Sequence, residues 1–130
     1  MTEPITITLP ELPPPLSACF NNSSKRGRVK SARYKAWIEL CRLTCLSLRN
    51  CQPIHGLVVV HYLYARVRNQ DGSFNQAKRD VFNYEKATSD LLVKMGVIDD
   101  DSLIQKGTVE WGGEAPVTIT VTPFVEGIAA

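Results

Sequence analysis

The run Leu57-Val58-Val59-Val60-His61-Tyr62-Leu63-Tyr64 constrains the fold of this chain more than any other segment. β-Branched and aromatic residues dominate it, Gly56 precedes it, and its length suits a central strand. Helical periodicities lie on both sides. Ser31 can cap a helix running to about Leu48, in which Tyr34, Trp37, Ile38, Cys41, Cys45 and Leu48 recur three to four residues apart. Asp80 can cap a second helix to about Met95, closed by Gly96, with Tyr84, Ala87, Leu91, Leu92 and Met95 as its buried stripe. One strongly β-prone run between two amphipathic helices calls for helices packed on a sheet.

The remaining segments fill in that sheet. Ile5 to Leu9 alternates apolar and polar residues, as a half-buried strand does, and the prolines at 10, 13, 14 and 15 end it. Residues 17 to about 30 read as a polar, basic loop. Residues 67 to 79 read as a turn-rich loop. Ser102 to Trp111 and Val117 to Phe124 read as two strands, and Gly112-Gly113 between them predicts a hairpin. The order βαβαββ with short connections predicts an α+β fold, a small mixed β-sheet carrying two main helices. At 130 residues the chain is expected to form one domain, spanning 1–130. Trp37 and Trp111 are assigned to the core, and His61 to the sheet.

The amino terminus has neither a basic leader nor an apolar run, and no segment reaches membrane-spanning length, so a cytoplasmic location without membrane contact is expected. Cys19, Cys41, Cys45 and Cys51 then read as free thiols, buried as small hydrophobes, because no C-x-x-C or Cys/His spacing completes a zinc site.

A net charge of +2 does not by itself point to nucleic acid, but the distribution does. Lys25, Arg26, Arg28, Lys30, Arg33 and Lys35 crowd one short window. Arg66, Arg68, Lys78 and Arg79 flank the polar loop and lead into Asp80. Beyond the second helix stand Asp99, Asp100 and Asp101. Three consecutive carboxylates repel one another and call for a cation or a neighbouring base. With Asp80 at one end of the helix and these at the other, the two sets can fold into one acidic pocket with a basic rim. Such a pocket suits metal-assisted phosphodiester cleavage: a divalent ion offsets the repulsion and generates hydroxide, and the rim holds the polyanion. Lys86 is a candidate for neutralising the aspartates or stabilising charge on the phosphate. No Gly-rich nucleotide loop is present, and neither His55 nor His61 is paired with an evident Ser or Cys nucleophile.

The run Arg79-Asp80-Val81-Phe82-Asn83-Tyr84-Glu85-Lys86, followed by Asp90, Lys94, Gly96 and Asp100-Asp101, resembles the RusA-type crossover junction endodeoxyribonucleases, small phage- and prophage-associated resolvases of Holliday junctions. Arg26-Gly27-Arg28 ahead of Ser31 is similar too. The resemblance implies a RusA-like fold and a homodimer that makes paired, symmetric nicks in four-way junctions during DNA recombination and repair. It implies Asp80 and Asp101 as catalytic and metal-binding residues, Lys86 as the catalytic lysine, Asn83 in support, and Mg²⁺ or Mn²⁺ as cofactor. Lys25, Arg26, Arg28, Lys30, Arg66, Arg68, Lys78 and Arg79 become the DNA-binding set, and branched DNA the partner. Phe82 stands where the family pattern has an aspartate, and a phenyl ring cannot coordinate Mg²⁺. Either another carboxylate, Asp100, Asp99 or Glu85, completes the site, or the chain binds junctions with weak or no cutting.

Overall fold

The computed structural model describes residues 4–23, 27–44, 53–76 and 80–126. The expectations placed on Lys25, Arg26, Cys45, Leu48, Cys51, Lys78 and Arg79 lie outside those residues. A four-stranded mixed sheet forms the centre, in the order β1 (Ile5–Leu9), β6 (Val117–Pro123), β4 (Val58–Tyr64) and β5 (Ile104–Trp111). β6 runs antiparallel to both β1 and β4, whereas β5 runs parallel to β4. The α+β architecture expected from the sequence is the one observed.

β4 is central because its side chains demand it. Val58, Val60, Tyr62 and Tyr64 alternate inward and are fully buried. Each such side chain contributes roughly 1.5–3 kcal/mol on burial. Ile5, Ile7 and Leu9 of β1 and Val117, Ile119 and Val121 of β6 join them in one core with α2 (Ala32–Thr44) and α3 (Glu85–Lys94). Alternate positions on the same strands are Thr6, Thr8, Thr118, Thr120, Thr122 and His61, with Val59 and Leu63 of β4 among them, none of them buried. The period of two therefore gives the sheet one buried apolar face and one mixed, threonine-rich face. Cys19 and Cys41 are buried free thiols, as expected.

Four expectations need correction. Residues 17–23 and 27–30 are structured: α1 (Leu16–Cys19) leads into an antiparallel ribbon of β2 (Phe20–Ser23) and β3 (Gly27–Lys30). No strand alternation advertises this ribbon, since β3 buries little and only Val29 is half-covered. Second, β5 and β6 do not form a hairpin, because β4 lies between them. The segment 112–116 instead rounds the end of β4, where Gly112 N–H donates to Tyr64 O (2.9 Å) and Ala65 N–H to Pro116 O (3.0 Å). A Cβ at Gly112 would meet Leu63 Cδ2 at 3.3 Å, and Gly113 turns with φ of 82°. Third, the strand assigned to begin at Ser102 begins at Ile104, after a 3₁₀ turn over Asp101–Leu103. Fourth, Trp111 is only half-buried at the margin of the core, unlike Trp37.

Ser31 caps α2 as expected: its Oγ accepts from Tyr34 N–H (3.2 Å) and donates to Ala18 O (2.7 Å). Gly96 also behaves as expected. With φ of 76° it ends α3, and Gly96 N–H to Val93 O and Val97 N–H to Leu92 O (3.0 Å each) complete a Schellman closure. That closure turns the chain towards the three aspartates.

Candidate active site

Asp80 Oδ1 accepts from Phe82 N–H (3.0 Å), so the aspartate caps the chain as predicted, but what it caps is a 3₁₀ turn over Val81–Tyr84. The α-helix starts only at Glu85. Two buried phenols then set the rotation of α3 on the sheet. Tyr62 OH hydrogen-bonds Ser89 Oγ (2.5 Å), and Tyr64 OH donates to Thr88 Oγ1 (2.8 Å). These bonds explain two buried polar residues in a helix that otherwise buries Ala87, Leu91 and Leu92. Burial pushes both tyrosine pKa values up, so the phenols stay neutral hydrogen-bonding groups. With that face locked inward, Lys86 and Asp90 emerge on the opposite side.

There Lys86 Nζ sits 3.1 Å from Asp90 Oδ1 and 2.9 Å from Asp101 Oδ2. Hydrogen bonding to these carboxylates raises the Lys86 pKa, and Lys86 in turn holds the Asp101 carboxyl below its usual range. Lys86 is about half exposed, and ion pairs of that kind contribute only ~0–1 kcal/mol to folding. Stability therefore does not explain why two carboxylates converge on one ammonium. Asp90 also joins Asp100, Asp101, Lys30, Lys94 and Tyr34 around a cleft of about 270 Å³. One DNA-binding candidate, Lys30 at the end of β3, is thus brought beside the aspartates across 70 residues of sequence. Lys94 shares that position, as its spacing of four and eight residues from Asp90 and Lys86 allows; charge clustering in the sequence did not mark it.

The three consecutive aspartates part ways. Asp99 faces His55 Nδ1 (Oδ1, 2.8 Å) and accepts from Gly56 N–H (Oδ2, 3.1 Å), which holds its carboxyl below the usual range. Asp100 turns back on its own backbone, accepting from Asp101 N–H (2.9 Å) and Ser102 Oγ–H (2.7 Å). Only Asp101 reaches Lys86. The ion-paired group is therefore Lys86, Asp90 and Asp101, and Asp80 and Asn83 lie outside it, on the 3₁₀ turn that leads into α3. Phe82 on that turn is 67% exposed. Arg28 lies over the Phe20 ring (4.0 Å), and Arg66 and Arg68 lie over Trp111 and Phe74, away from the aspartates in sequence but ahead of Asp80 in the chain.

Glu85 is the functional candidate that the sequence marked least. Burial pushes its carboxyl up, with Asp101 and Asp90 adding to the rise and Ser89 and Lys86 opposing it. A folded pKa raised above the unfolded one means that ionised Glu85 costs stability at neutral pH, a cost that vanishes below the ordinary glutamate range. Glu85→Gln is accordingly expected to melt higher than wild type at pH 7 and alike at pH 4. A constant gap across that range in thermal melts would contradict this electrostatic account.

For a divalent ion, the donor chemistry fits. Asp90 and Asp101 are hard oxygen donors that already gather around one positive charge, and Asp100 lines the same cleft. Among the described residues no group of three or more His, Cys, Asp or Glu is placed to hold a metal ion. Mg²⁺ commonly takes one or two carboxylates and completes its shell with water and substrate phosphates. The residues present suit an ion shared with a phosphate substrate rather than one caged by protein alone. A family model described as endodeoxyribonuclease RusA matches residues 14–122, which include α1, α2 and α3, the Asp80 turn and the aspartates. No curated protein matches the chain.

Proposed function

Because the chain belongs to the RusA endodeoxyribonuclease family, we propose that it is a structure-selective nuclease resolving four-way DNA junctions with Mg²⁺ or Mn²⁺. The observation that carries this reading is Lys86 bridging Asp90 and Asp101 inside the matched segment. The family pattern assigns the ion to Asp80, Asp101 and Asp100; Asp100 and Asp101 line the cleft with Asp90, and Asp80, from the turn that leads into α3, would complete the set. When bound, the ion would polarise the phosphate and lower the pKa of a water molecule for attack at phosphorus.

The chain's own residues supply the rest. Lys86 keeps Asp101 ionised at any working pH and carries a positive charge to the place where negative charge builds on the phosphate. Asn83, on the turn between Asp80 and Lys86, supports that arrangement. Lys30 and Lys94 at the cleft, together with Arg28, Arg66 and Arg68, bind the strands through phosphates, so the shape of the DNA outweighs its sequence. Lys25, Arg26, Lys78 and Arg79 belong to the same basic set by their positions in the chain. A homodimer would place two such sites on opposite strands of a two-fold junction, giving paired, symmetric nicks and two ligatable duplexes. No helix among the described residues is long and apolar enough to cross a membrane.

The test is direct. Purified protein is incubated with a synthetic four-way junction and with linear duplex, with and without Mg²⁺ or Mn²⁺. Nicked duplex products are expected from the junction only when a divalent ion is present. Equal cutting of linear duplex, or cutting in chelator, would overturn the proposal. A second reading rests on Phe82: with an exposed phenyl ring in place of a carboxylate, the protein binds junctions and cuts them poorly or not at all. It predicts retention in a gel shift without product at any divalent concentration.

A further inference from the structure

Between β4 and the Asp80 turn, residues 65–75 form a small ribbon braced by its own hydrogen bonds. Asn75 N–H donates to Val67 O and Asn69 N–H to Ser73 O (2.8 Å each), and Arg68 Nη1 donates to Gly72 O (2.7 Å). Ser73 N–H and Oγ–H both donate to Asp71 Oδ1. The ribbon carries two guanidinium groups lying on two rings: Arg68 is 4.2 Å from the centre of Phe74, and Arg66 is 4.6 Å from the centre of Trp111. Arg66, Arg68, Phe74, Trp111, Gly112 and Glu114 line one open groove of about 680 Å³, within the size range of small-molecule pockets.

Folding does not account for this arrangement. Phe74 is 52% exposed, so its ring gains little from burial, and exposed cation–π pairs are weak. What the groove does offer is chemical. Two flat aromatic surfaces, two flat guanidinium planes and a positive excess over the single Glu114 carboxylate match a planar base attached to a phosphate chain. Duplex DNA has its bases stacked on each other and cannot use such surfaces. Through Trp111 the groove is one ring contact away from the turn that Asp80 caps, since Trp111 meets Tyr84 edge-on (5.9 Å) and Tyr84 ends that turn.

We propose that this groove is a stacking site for an unpaired nucleobase of single-stranded DNA, with Phe74 and Trp111 as platforms and Arg66 and Arg68 on the adjoining phosphates. The inference rests on the chain being a DNA-binding protein but not on its cutting DNA. It extends the substrate class from closed four-way junctions to DNA with unpaired residues near the branch.

The experiment uses the full chain in chelator, so that cutting plays no part. Affinities are compared for a single strand of about ten nucleotides and for a strand of equal length whose bases have been removed but whose phosphates remain. The ordinary strand is expected to bind about 10-fold tighter and to quench tryptophan fluorescence, which the abasic strand does not. Phe74→Ala, at an exposed position on the ribbon, is expected to erase most of that preference while leaving abasic binding nearly unchanged. Equal affinity for the two strands, or an undiminished preference in Phe74→Ala, would overturn the stacking site. Neither result bears on the nuclease reading, whose failure would appear as absent divalent-dependent cutting with the base preference intact.

Discussion

Asp101→Asn is expected to slow single-turnover cutting of a four-way junction by on the order of 10³-fold while leaving junction affinity unchanged or higher. Asparagine keeps the shape of the side chain, and its carbonyl oxygen can still accept from Lys86 Nζ, so the local fold survives. The ion pair that is weakened is exposed, and its loss costs at most about 1 kcal/mol. What disappears is a formal negative charge next to Lys86. Its removal takes away a hard donor for the divalent ion and also a source of repulsion towards DNA phosphates, which is why binding does not suffer. Asp99→Asn is the matched control, since Asp99 faces His55 and Gly56 instead of Lys86. Cutting by that variant is expected within a few-fold of wild type. Equal losses in the two variants would mean that the turn acts as an undifferentiated acidic patch.

Phe82→Asp has the second largest expected effect, and in the opposite direction. Position 82 lies on the 3₁₀ turn two residues after Asp80, and its ring is largely in solvent, so the exchange removes little buried surface. A carboxylate there adds a second carboxylate donor to the Asp80 side of the site. At limiting Mg²⁺ or Mn²⁺, cutting is expected to rise by roughly 10–100-fold, the range in which a supporting residue changes metal affinity. The rise should shrink as the divalent concentration increases, because saturating ion compensates for a weak site. A rate that stays at the wild-type level across the divalent titration would show that position 82 does not face the ion. It would also remove the main physical reason for a junction-binding protein that does not cut.

Local features were the legible ones. The β-branched run at 58–64, the Ser31 cap, the Asp80 cap and the Gly96 closure each depend on a few consecutive residues, and each stands where the sequence put it, except that Asp80 opens a 3₁₀ turn and the α-helix follows at Glu85. Pairing was less legible. Gly112-Gly113 does mark a reversal of direction, but a turn signal does not name the neighbour. β4 needs a strand on both sides to satisfy its backbone while its side chains are buried, and it takes β5 on one side and β6 on the other. The β2–β3 ribbon escaped notice because it has almost no buried face to impose an alternating pattern.

The same division runs through the site. Lys86 and Asp90 are four residues apart on one helix, so their pairing follows from helical geometry. Lys86 and Asp101 meet only because the helix ends at Gly96 and the chain doubles back. The separate fates of Asp99, Asp100 and Asp101 depend on partners that no local pattern reveals, above all His55, 44 residues away from Asp99. Lys94 belongs to the run that carries the resemblance but had no role there for a related reason: an isolated lysine on a helix becomes informative only when the cleft beside Asp100 and Asp101 is formed.

The central claim is that Asp80 and Asp101, on separate turns, serve one divalent ion together with DNA phosphate. Mn²⁺ binding followed by electron paramagnetic resonance tests it most directly, with wild type, Asp80→Asn and Asp101→Asn each bound to an uncleavable four-way junction. Wild type is expected to bind Mn²⁺ tightly only when the junction is present, and each variant to lose at least about 10-fold in that affinity. Undiminished Mn²⁺ binding by Asp80→Asn, with loss in Asp101→Asn alone, would contradict a shared site.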